Sequence, residues 1–394
     1  MFQKPNSAYF HIPFCSHICY YCDFAKVLMT GQPVDAYIEA IIEEFQSLKI
    51  KKLKTVYIGG GTPSVLSAQQ LERLLTAIAD QLDLDFLEEF TVEANPGDLS
   101  DDVIKVLAHS AVNRISLGVQ TFNNTLLKKI GRTHNEAQVY DSIERLKMAG
   151  FENITIDLIY ALPGQTMEMV KSDVDKFLAL DLPHVALYSL ILEDHTVFMN
   201  RQRRGLLRLP SEDKNADMYE YIMDILEQQG YQHYEVSNFG RPGFESKHNI
   251  TYWDNEEYYG IGAGASGYLS GVRYKNYGPV HHYLKAAAND KRVNEEVLSK
   301  KSQIEEEMFL GLRKKSGVLV EKFEAKFNCS FDKLYGEQIK ELIKQKLLYD
   351  DRERIHMTDK GFELGNNVFE NFYSMMLIFN AIVMNFCEKM LQYN

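Results

Sequence analysis

Short apolar stretches alternate with longer amphipathic ones through the first half of the chain. The apolar stretches are rich in Val, Ile, Phe and Tyr, and several are almost continuously apolar, as in parallel strands covered on both faces. The predicted strands span residues 8–14, 55–58, 90–94, 114–119, 154–160 and 184–192. The predicted helices between them span residues 34–48, 68–81, 101–109, 136–149 and 167–180.

Two of these helices carry clear boundary signals. Ser67, with Gln70 three residues later, forms a capping-box pattern, and Asn135 and Gly150 frame the fourth helix. Six strand–helix units predict a parallel, right-handed sheet, and six units instead of eight leave a barrel open on one side. The predicted fold class is therefore α/β, a partial (β/α)6 TIM-like barrel over residues 1–192.

The alternation stops after residue 192, and three further regions are predicted. Residues 193–300 form an α+β extension that starts with a basic connection containing Arg201, Arg203, Arg204 and Arg208. A helix at 211–229 and a strand at 231–238 follow, and 240–279 is predicted as loops and short strands. Residues 301–372 resemble a winged-helix module, with helices at 303–314, 319–327 and 335–346 and a hairpin at 348–357. An apolar tail, 373–394, ends the chain.

Composition narrows the classes of function and location. With 394 residues and 45% hydrophobic residues, the chain has the composition of an ordinary globular protein. Its net charge of −12 disfavours nucleic-acid binding, and the winged-helix-like module has no basic recognition helix. The cysteine usage and the polar start of the chain predict a cytoplasmic protein. The tail predicts a packed terminal helix, with a peripheral membrane or protein-docking helix as the alternative.

Three of the five cysteines, Cys15, Cys19 and Cys22, lie within eight residues directly after the first predicted strand. This spacing strains any disulfide among them, and an odd number leaves one thiol unpaired. The thiolates can instead all bind one soft metal centre. A closed zinc site needs a fourth ligand, for which His17 is poorly placed. A 4Fe–4S cluster with three cysteine ligands and one open iron therefore fits better than zinc.

Candidate ligand-binding residues follow or end the other predicted strands, with Arg132 in the loop beyond the fourth strand and Asp157 within the fifth. The loops at these strand ends carry the chemistry of such a barrel. The candidate residues are Gly60, Gly61, Thr62, Glu93, Gln120, Arg132 and Asp157. Each alone could be a satisfied structural group, and the glycines alone could form a tight turn. Together they predict a polar ring around the cysteine loop.

The pattern Cys-x₃-Cys-x-aromatic-Cys on a first strand, with a glycine run after the second, resembles the radical S-adenosylmethionine superfamily. The resemblance implies that the three thiolates hold a 4Fe–4S cluster and that S-adenosylmethionine chelates its fourth iron. One-electron reduction would then cleave the sulfonium to a 5′-deoxyadenosyl radical, so the cofactors carry the chemistry.

Further motifs are similar to oxygen-independent coproporphyrinogen III oxidase and the HemW-type haem chaperones, over nearly the whole chain to about residue 372. These motifs are Tyr-x-His-Ile-Pro-Phe-Cys, Gly-Gly-Gly-Thr-Pro, Gly-Val-Gln-Thr-Phe, Gly-Arg-Thr-His and Ile-Asp-Leu-Ile-Tyr. The implied S-adenosylmethionine contacts are Tyr9, Tyr21, Gly60, Gly61, Thr62, Glu93, Gln120, Arg132 and Asp157. Ile191 and the backbone of Ala265 and Ser266 are implied to line the adenine pocket.

Two features separate the branches of this family. The oxidase has a further cysteine two residues after the third cluster ligand, where this chain has Phe24. The stretch from His248 through Tyr252 to Trp253 matches the His-Asn-x-x-Tyr-Trp motif of the chaperone branch, and its imidazole and aromatic faces suit haem iron and a porphyrin.

The resemblance thus implies a haem chaperone that binds haem, the cluster and S-adenosylmethionine and delivers haem to acceptor proteins. Those acceptors are expected to include membrane-associated proteins, which makes the membrane periphery the alternative location. Coproporphyrinogen III decarboxylation, or another tetrapyrrole-directed radical reaction, is the alternative function, and enzymatic turnover is left open. A dimer is an open alternative to a monomer.

Overall fold

The computed structural model describes residues 5–372, so the apolar tail predicted at 373–394 lies outside the described residues. The first part alternates strands and helices as expected. Its elements are β1 Ser7–Ile12, β2 Phe14–Cys15, β3 Val27–Leu28, α1 Val34–Ser47, β4 Thr55–Gly60, α2 Ala68–Gln81, β5 Glu89–Ala94, α3 Asp101–Ala108, β6 Arg114–Gln120, α4 Asn124–Ile130, α5 Glu136–Met148, β7 Ile154–Tyr160, α6 Met167–Ala179 and β8 His184–Ser189.

The middle and last parts hold shorter elements. The middle part contains α7 Val197–Arg203, α8 Glu212–Gln228, β9 Gln232–Glu235, β10 Asn238–Gly240, α9 Lys247–Trp253, β11 Tyr259–Ile261, β12 Ser266–Leu269, β13 Val272–Asn276, α10 Val280–Lys285 and β14 Arg292–Val297. The last part contains α11 Lys300–Gly311, β15 Val318–Leu319, α12 Val320–Phe327, α13 Phe331–Lys344, β16 Leu348–Asp350, β17 Arg354–Met357, α14 Asp359–Glu363 and α15 Gly365–Phe369.

Nine strands form the main sheet, in the order β11-β1-β4-β5-β6-β7-β8-β10-β9. The six strands from β1 to β8 in this order run parallel, with registers such as Tyr9 beside Tyr57 and Asp157 beside Ala186. The sheet is not closed, because β11 and β9 lie at its two edges. The predicted α/β class with an open, partial barrel is confirmed.

The helices of the barrel form for reasons that the sequence carries. Ser67 caps α2 in a capping box with Gln70, and Asn135 caps α5 in the same way with Gln138. On α2, the buried face consists of Leu71, Leu74, Leu75 and Ile78. Burial of each such side chain stabilises the fold by about 1.5–3 kcal/mol, so packing outweighs the caps.

Along the barrel strands, apolar side chains that face the helices alternate with polar side chains that face the barrel interior, more regularly than the sequence suggested. On β5, Phe90 and Val92 belong to the apolar core under the helices, whereas Glu89, Thr91 and Glu93 alternate with them and point into the barrel. The same alternation puts a row of polar side chains in the barrel interior. They are Ser7, Tyr9, Thr55, Tyr57, Arg114, Ser116, Thr155, Asp157, His184 and Tyr188. The interior is therefore a polar column and not the apolar face that near-continuous runs indicate.

The middle region is tied to the barrel sheet at both edges. The strand expected at 231–238 is a tight hairpin, in which β10 pairs antiparallel with both β8 and β9. Residues 240–279, expected as loops and short strands, also contain the helix α9 and the strand β11, which pairs parallel with β1. These pairings were missed because a three-residue strand has too few positions to show a period.

The last region has the elements expected of a winged-helix-like module: α11, α12, α13 and the three-stranded sheet β15-β17-β16. Over residues 5–372, none of the helices has the length and apolarity needed to cross a membrane.

Candidate functional site

One pocket opens at the carboxyl ends of the barrel strands, and its empty space is about 1050 Å³ including the part open to solvent. Twelve of the predicted site residues line it: Cys15, Cys19, Cys22, Tyr21, Gly60, Gly61, Thr62, Glu93, Gln120, Arg132, Asp157 and Ile191. Residues from positions 15 to 191 meet here because the ends of parallel strands share one edge of the sheet.

The cysteine loop is fastened to the barrel at its base. Cys15 ends β2, which pairs with β3, and the Cys15 carbonyl accepts the Met29 amide at 3.0 Å. The thiols of Cys15 and Cys19 face polar partners, Thr62 Oγ1 at 3.9 Å and Arg132 Nη1 at 3.5 Å. Phe24, the residue in place of a further cysteine, also lines the pocket.

The donor set of this loop suits a soft metal centre. Burial raises the pKa of the Cys15 thiol to about 11 and that of the Cys22 thiol to about 12, so both carry protons that a bound metal would displace. Within residues 5–372, no three His, Cys, Asp or Glu side chains stand in a preformed metal geometry. The three cysteines nevertheless line one pocket, with no competing acidic ligand in the loop between Cys15 and Cys22.

The glycine run at the end of β4 is required by close packing. A Cβ atom at Gly59 would lie 2.6 Å from the Glu93 carboxyl carbon, and one at Gly61 would lie 2.5 Å from the Phe14 carbonyl oxygen. Gly60 has φ +114, a conformation that side chains disfavour, and its amide donates to Glu93 at 3.0 Å. The run thus lets the Glu93 carboxylate and the cysteine loop approach the same strand end.

Two carboxyl groups in the pocket have pKa values raised above their usual range. Burial raises the pKa of Glu93 to about 8, against the hydrogen bond that Tyr57 donates to it at 2.8 Å. Burial also raises the pKa of Asp157 to about 6, although Arg114 and Ser116 lower it. The carboxyl oxygens of both groups can accept hydrogen bonds from an amine or a ribose hydroxyl.

Arg132 is a cation of the pocket, as is Lys26, and its guanidinium joins three parts of the chain. It donates to the Asn95 amide oxygen, to the Gly118 carbonyl and to the Cys19 sulfur. Gln120, at the end of β6, has φ +69, a strained conformation for a residue with a side chain.

Further lining residues were missing from the predicted set, among them Asn95, Ser116 and Tyr188. Ser116 and Tyr188 could have been found from the period of two, because each lies at an interior position of a predicted strand. The Tyr188 hydroxyl is buried and has no hydrogen-bond partner in the described structure, so it remains available to a ligand.

Three of the predicted S-adenosylmethionine contacts, Tyr9, Ala265 and Ser266, do not line the pocket. Tyr9 is 7% exposed, its hydroxyl lies 2.9 Å from His11 Nδ1, and its ring packs between Tyr57 and Ala265. Ser266 lies on β12, the first strand of a separate small sheet. Tyr9 thus contacts the pocket only indirectly: it packs against Tyr57, whose hydroxyl donates a hydrogen bond to the pocket residue Glu93.

The predicted haem motif lies at the opposite end of the barrel. His248, on α9, is fully buried, with Nδ1 2.8 Å from Thr55 Oγ1 and Nε2 2.8 Å from the Tyr252 hydroxyl. Burial lowers the pKa of His248 to about 3, with Arg114 as a further cause, so the ring is neutral. Trp253 is 2% exposed. The structure therefore brings neither imidazole nitrogen to a surface where iron could reach it.

A hydrogen-bond network fixes α9 against the first residues of the strands. Glu89 accepts the backbone amides of Lys247 and His248, and His184 repeats the His248 pattern between Thr155 at 2.6 Å and Tyr234 at 2.8 Å. The motif closes the amino-terminal end of the barrel.

Comparison with known proteins agrees with this architecture. Residues 9–177 match the family model of the Radical SAM superfamily, and residues 298–364 match that of the HemN C-terminal domain. The chain is 89% identical over 372 residues to the Heme chaperone HemW of Lactococcus lactis subsp. lactis (strain IL1403), an alignment covering 94% of this chain and 98% of the relative. The chain belongs to the HemW family.

Other HemW proteins are similar over most of the chain. The Heme chaperone HemW of Bacillus subtilis (strain 168) is 47% identical over 375 residues, covering 93% of this chain and 99% of that protein. The Heme chaperone HemW of Escherichia coli (strain K12) is 35% identical over 268 residues, covering 67% of this chain and 70% of that protein. As a radical SAM group, the HemW family is expected to use a 4Fe–4S cluster and S-adenosylmethionine.

Among solved structures, coproporphyrinogen III oxidase (HemN) from Escherichia coli, a radical SAM enzyme, has the same fold. The TM-score is 0.81 at 23% identity, covering 93% of this chain and 90% of HemN. The likeness extends through the winged-helix-like module and confirms the predicted fold, whereas identity this low says nothing about a shared activity.

Proposed function

We propose that the protein is a haem chaperone that binds haem together with a 4Fe–4S cluster and S-adenosylmethionine and transfers the haem to haem-requiring proteins. The observation that carries the proposal is the high identity to HemW proteins over 94% of the chain. The pocket supports it, because four neighbouring barrel strands, β5 to β8, bring polar side chains to one opening beside the cysteine loop.

The cofactor roles follow from the geometry of the pocket. Cys15, Cys19 and Cys22 would hold the cluster, which supplies one-electron chemistry when bound. Glu93 and Asp157 would accept hydrogen bonds from the amine and hydroxyls of S-adenosylmethionine, and Arg132 would attract its carboxylate. Phe24 makes the wall apolar where the oxidase branch has a cysteine.

The haem-binding test is an anaerobic titration. The cluster is reconstituted, haem is added, and the Soret band is followed in wild type and in His248→Ala. We expect saturable binding in wild type and nearly the same affinity in the variant, because His248 has no free ring nitrogen. Wild type that binds no haem would remove the proposed function.

The chaperone and oxidase functions are separated by two further assays. Haem-loaded protein is mixed with an apo-acceptor that needs haem, and transfer is followed by the activity that the acceptor gains. In parallel, reductant, S-adenosylmethionine and coproporphyrinogen III are added to the cluster-loaded protein. We expect haem transfer and no protoporphyrinogen, and catalytic formation of protoporphyrinogen would contradict the chaperone assignment.

A further inference from the structure

A short arginine-rich segment stands out in a chain whose net charge is −12. Arg201 and Arg203 lie on the last turn of α7, and Arg204 and Arg208 follow it. Gly205, with φ +67, turns the chain out of the helix. The barrel does not need this segment for its sheet, so the concentration of positive charge calls for another explanation.

Contacts with the cysteine loop fix the segment beside the pocket. The Phe198 amide donates to the Tyr20 carbonyl at 3.0 Å, and the Arg201 guanidinium lies 4.6 Å over the Tyr20 ring. Tyr20 stands between the cluster cysteines Cys19 and Cys22. Leu207 packs in the same small apolar cluster as Leu190, which lines the pocket.

The segment presents free cations and apolar surface together. Arg201 is engaged with Tyr20, and Arg203 forms a salt bridge with Asp194 at 2.6 Å. Arg204 and Arg208 are exposed, and no carboxylate of the described chain lies within salt-bridge distance of either. Leu206 is 62% exposed, and Ile191, at the pocket wall, is 38% exposed.

We propose that Arg204 and Arg208 bind the carboxylates of haem and hold its flat apolar ring against Leu206 and Ile191, at the mouth of the cofactor pocket. This proposal rests on the proposed function and names the site for it. A guanidinium pairs with a carboxylate through two parallel hydrogen bonds, and two of them suit a ligand with two carboxylates. Removal of the porphyrin face and the leucine from water adds affinity.

The charge of the protein favours haem over an anionic lipid surface as the ligand of Arg204 and Arg208. A membrane surface meets the whole face of the protein, and the net charge of −12 opposes that approach. A single small dianion meets only the local field of the arginines. A haem bound at the arginines would lie next to the cofactor pocket, whereas the buried His248 motif lies at the opposite end of the barrel.

The test compares two double variants with the same change in net charge. Arg204→Gln with Arg208→Gln removes the proposed contacts, and Arg73→Gln with Arg352→Gln removes two arginines from distant surface. Each protein is loaded with the cluster and titrated with haem and with haem dimethyl ester, whose carboxylates are blocked. We expect haem to bind about tenfold or more weakly to the first variant and unchanged to the second.

The ester makes the result specific. Wild type should bind the ester about as weakly as the first variant binds haem. The first variant should bind the ester and haem with equal affinity, because it lacks the arginines that distinguish them. Haem binding that is equal in wild type and the first variant overturns this site while leaving the proposed function intact. Wild type that binds no haem instead overturns the proposed function.

A flotation assay with vesicles of equal parts phosphatidylglycerol and phosphatidylcholine tests the other anionic surface. We expect wild type to stay unbound. Vesicle binding by wild type that the first variant loses, with haem affinity unchanged, would assign the arginines to a membrane and overturn the proposal.

Discussion

At the amino ends of the strands, the ring nitrogens of His184 and His248 all have hydroxyl partners, and a helix covers them. At the carboxyl ends, the Glu93 and Asp157 carboxyls and the unpaired Tyr188 hydroxyl face an open pocket. Both ends are built from the same alternation of interior polar positions. The difference is access: α9 covers the polar side chains at the amino ends, whereas those at the carboxyl ends line an open pocket that a ligand can enter.

The comparison changes how the two sequence motifs are interpreted. The cysteine motif and the His-Asn-x-x-Tyr-Trp motif both place potential metal ligands in a short stretch. The first lies on a loop at the pocket, whereas the second lies on a buried helix, where His248 stacks on Tyr57 with ring centroids 5.2 Å apart. Since Tyr57 donates to Glu93, the second motif supports the cofactor pocket from below.

The largest expected effect is at the open end, where Cys22→Ser should abolish cluster assembly. The change removes one of three ligands but leaves the fold intact, because the side chain has no structural partner that serine cannot replace. Iron and sulfide content after anaerobic reconstitution measures it, with Cys329→Ser in the C-terminal module as the control. A Cys22→Ser protein with full iron content would remove the cluster assignment.

The second effect is at the closed end, where His248→Ala should cost stability and not cofactors. The truncation leaves the Thr55 and Tyr252 hydroxyls without a partner and opens a cavity, which together lower the free energy of unfolding by about 3 kcal/mol. Urea unfolding of the reconstituted protein measures the loss, and the exposed His281→Ala is the matched control. Normal stability combined with lost haem binding would reverse the assignment of the two ends.

The barrel and the ring at its carboxyl ends could be predicted because their signals are local. Glu93 and Gln120 stand at or next to the ends of their own apolar strands, Asp157 lies at an interior-facing position within its strand, and parallel strands bring such positions together. The closed end could not be predicted in this way. Tyr252 is a local partner of His248, but its other partners, Thr55 and Glu89, are more than 150 residues away, and nothing local in the sequence indicates those hydrogen bonds.

The third effect tests, through the pH dependence of stability, whether Glu93 is protonated in the folded protein. The Glu93 pKa is raised to about 8 in the folded protein, so between the unfolded value near 4.5 and pH 8 the folded state binds more protons and stability falls as the pH rises. Glu93→Gln should remove the part of this pH dependence that Glu93 causes. We expect that part to be on the order of 2 kcal/mol of unfolding free energy between pH 5 and pH 8, because water in the pocket screens the group. Urea unfolding at pH 5 and pH 8 measures it.

The control for this experiment is Glu72→Gln on the exposed face of α2, which should keep the wild-type slope. Equal slopes in wild type and Glu93→Gln would mean that Glu93 is ionised in the fold. Its proposed role as an acceptor in a near-neutral pocket would then be wrong.

The smallest effect is at Gln120 and distinguishes its backbone strain from its role in S-adenosylmethionine binding. Gln120 has φ +69, and glycine adopts this conformation without strain, so Gln120→Gly should raise the free energy of unfolding by up to about 1 kcal/mol. The same change removes a side chain from the pocket and should weaken S-adenosylmethionine binding several-fold. Ser270→Gly, at φ +52 outside the pocket, should gain stability and keep the affinity. Calorimetric titration measures the affinity, and if both variants bind S-adenosylmethionine like wild type, Gln120 is strained for a reason other than cofactor binding.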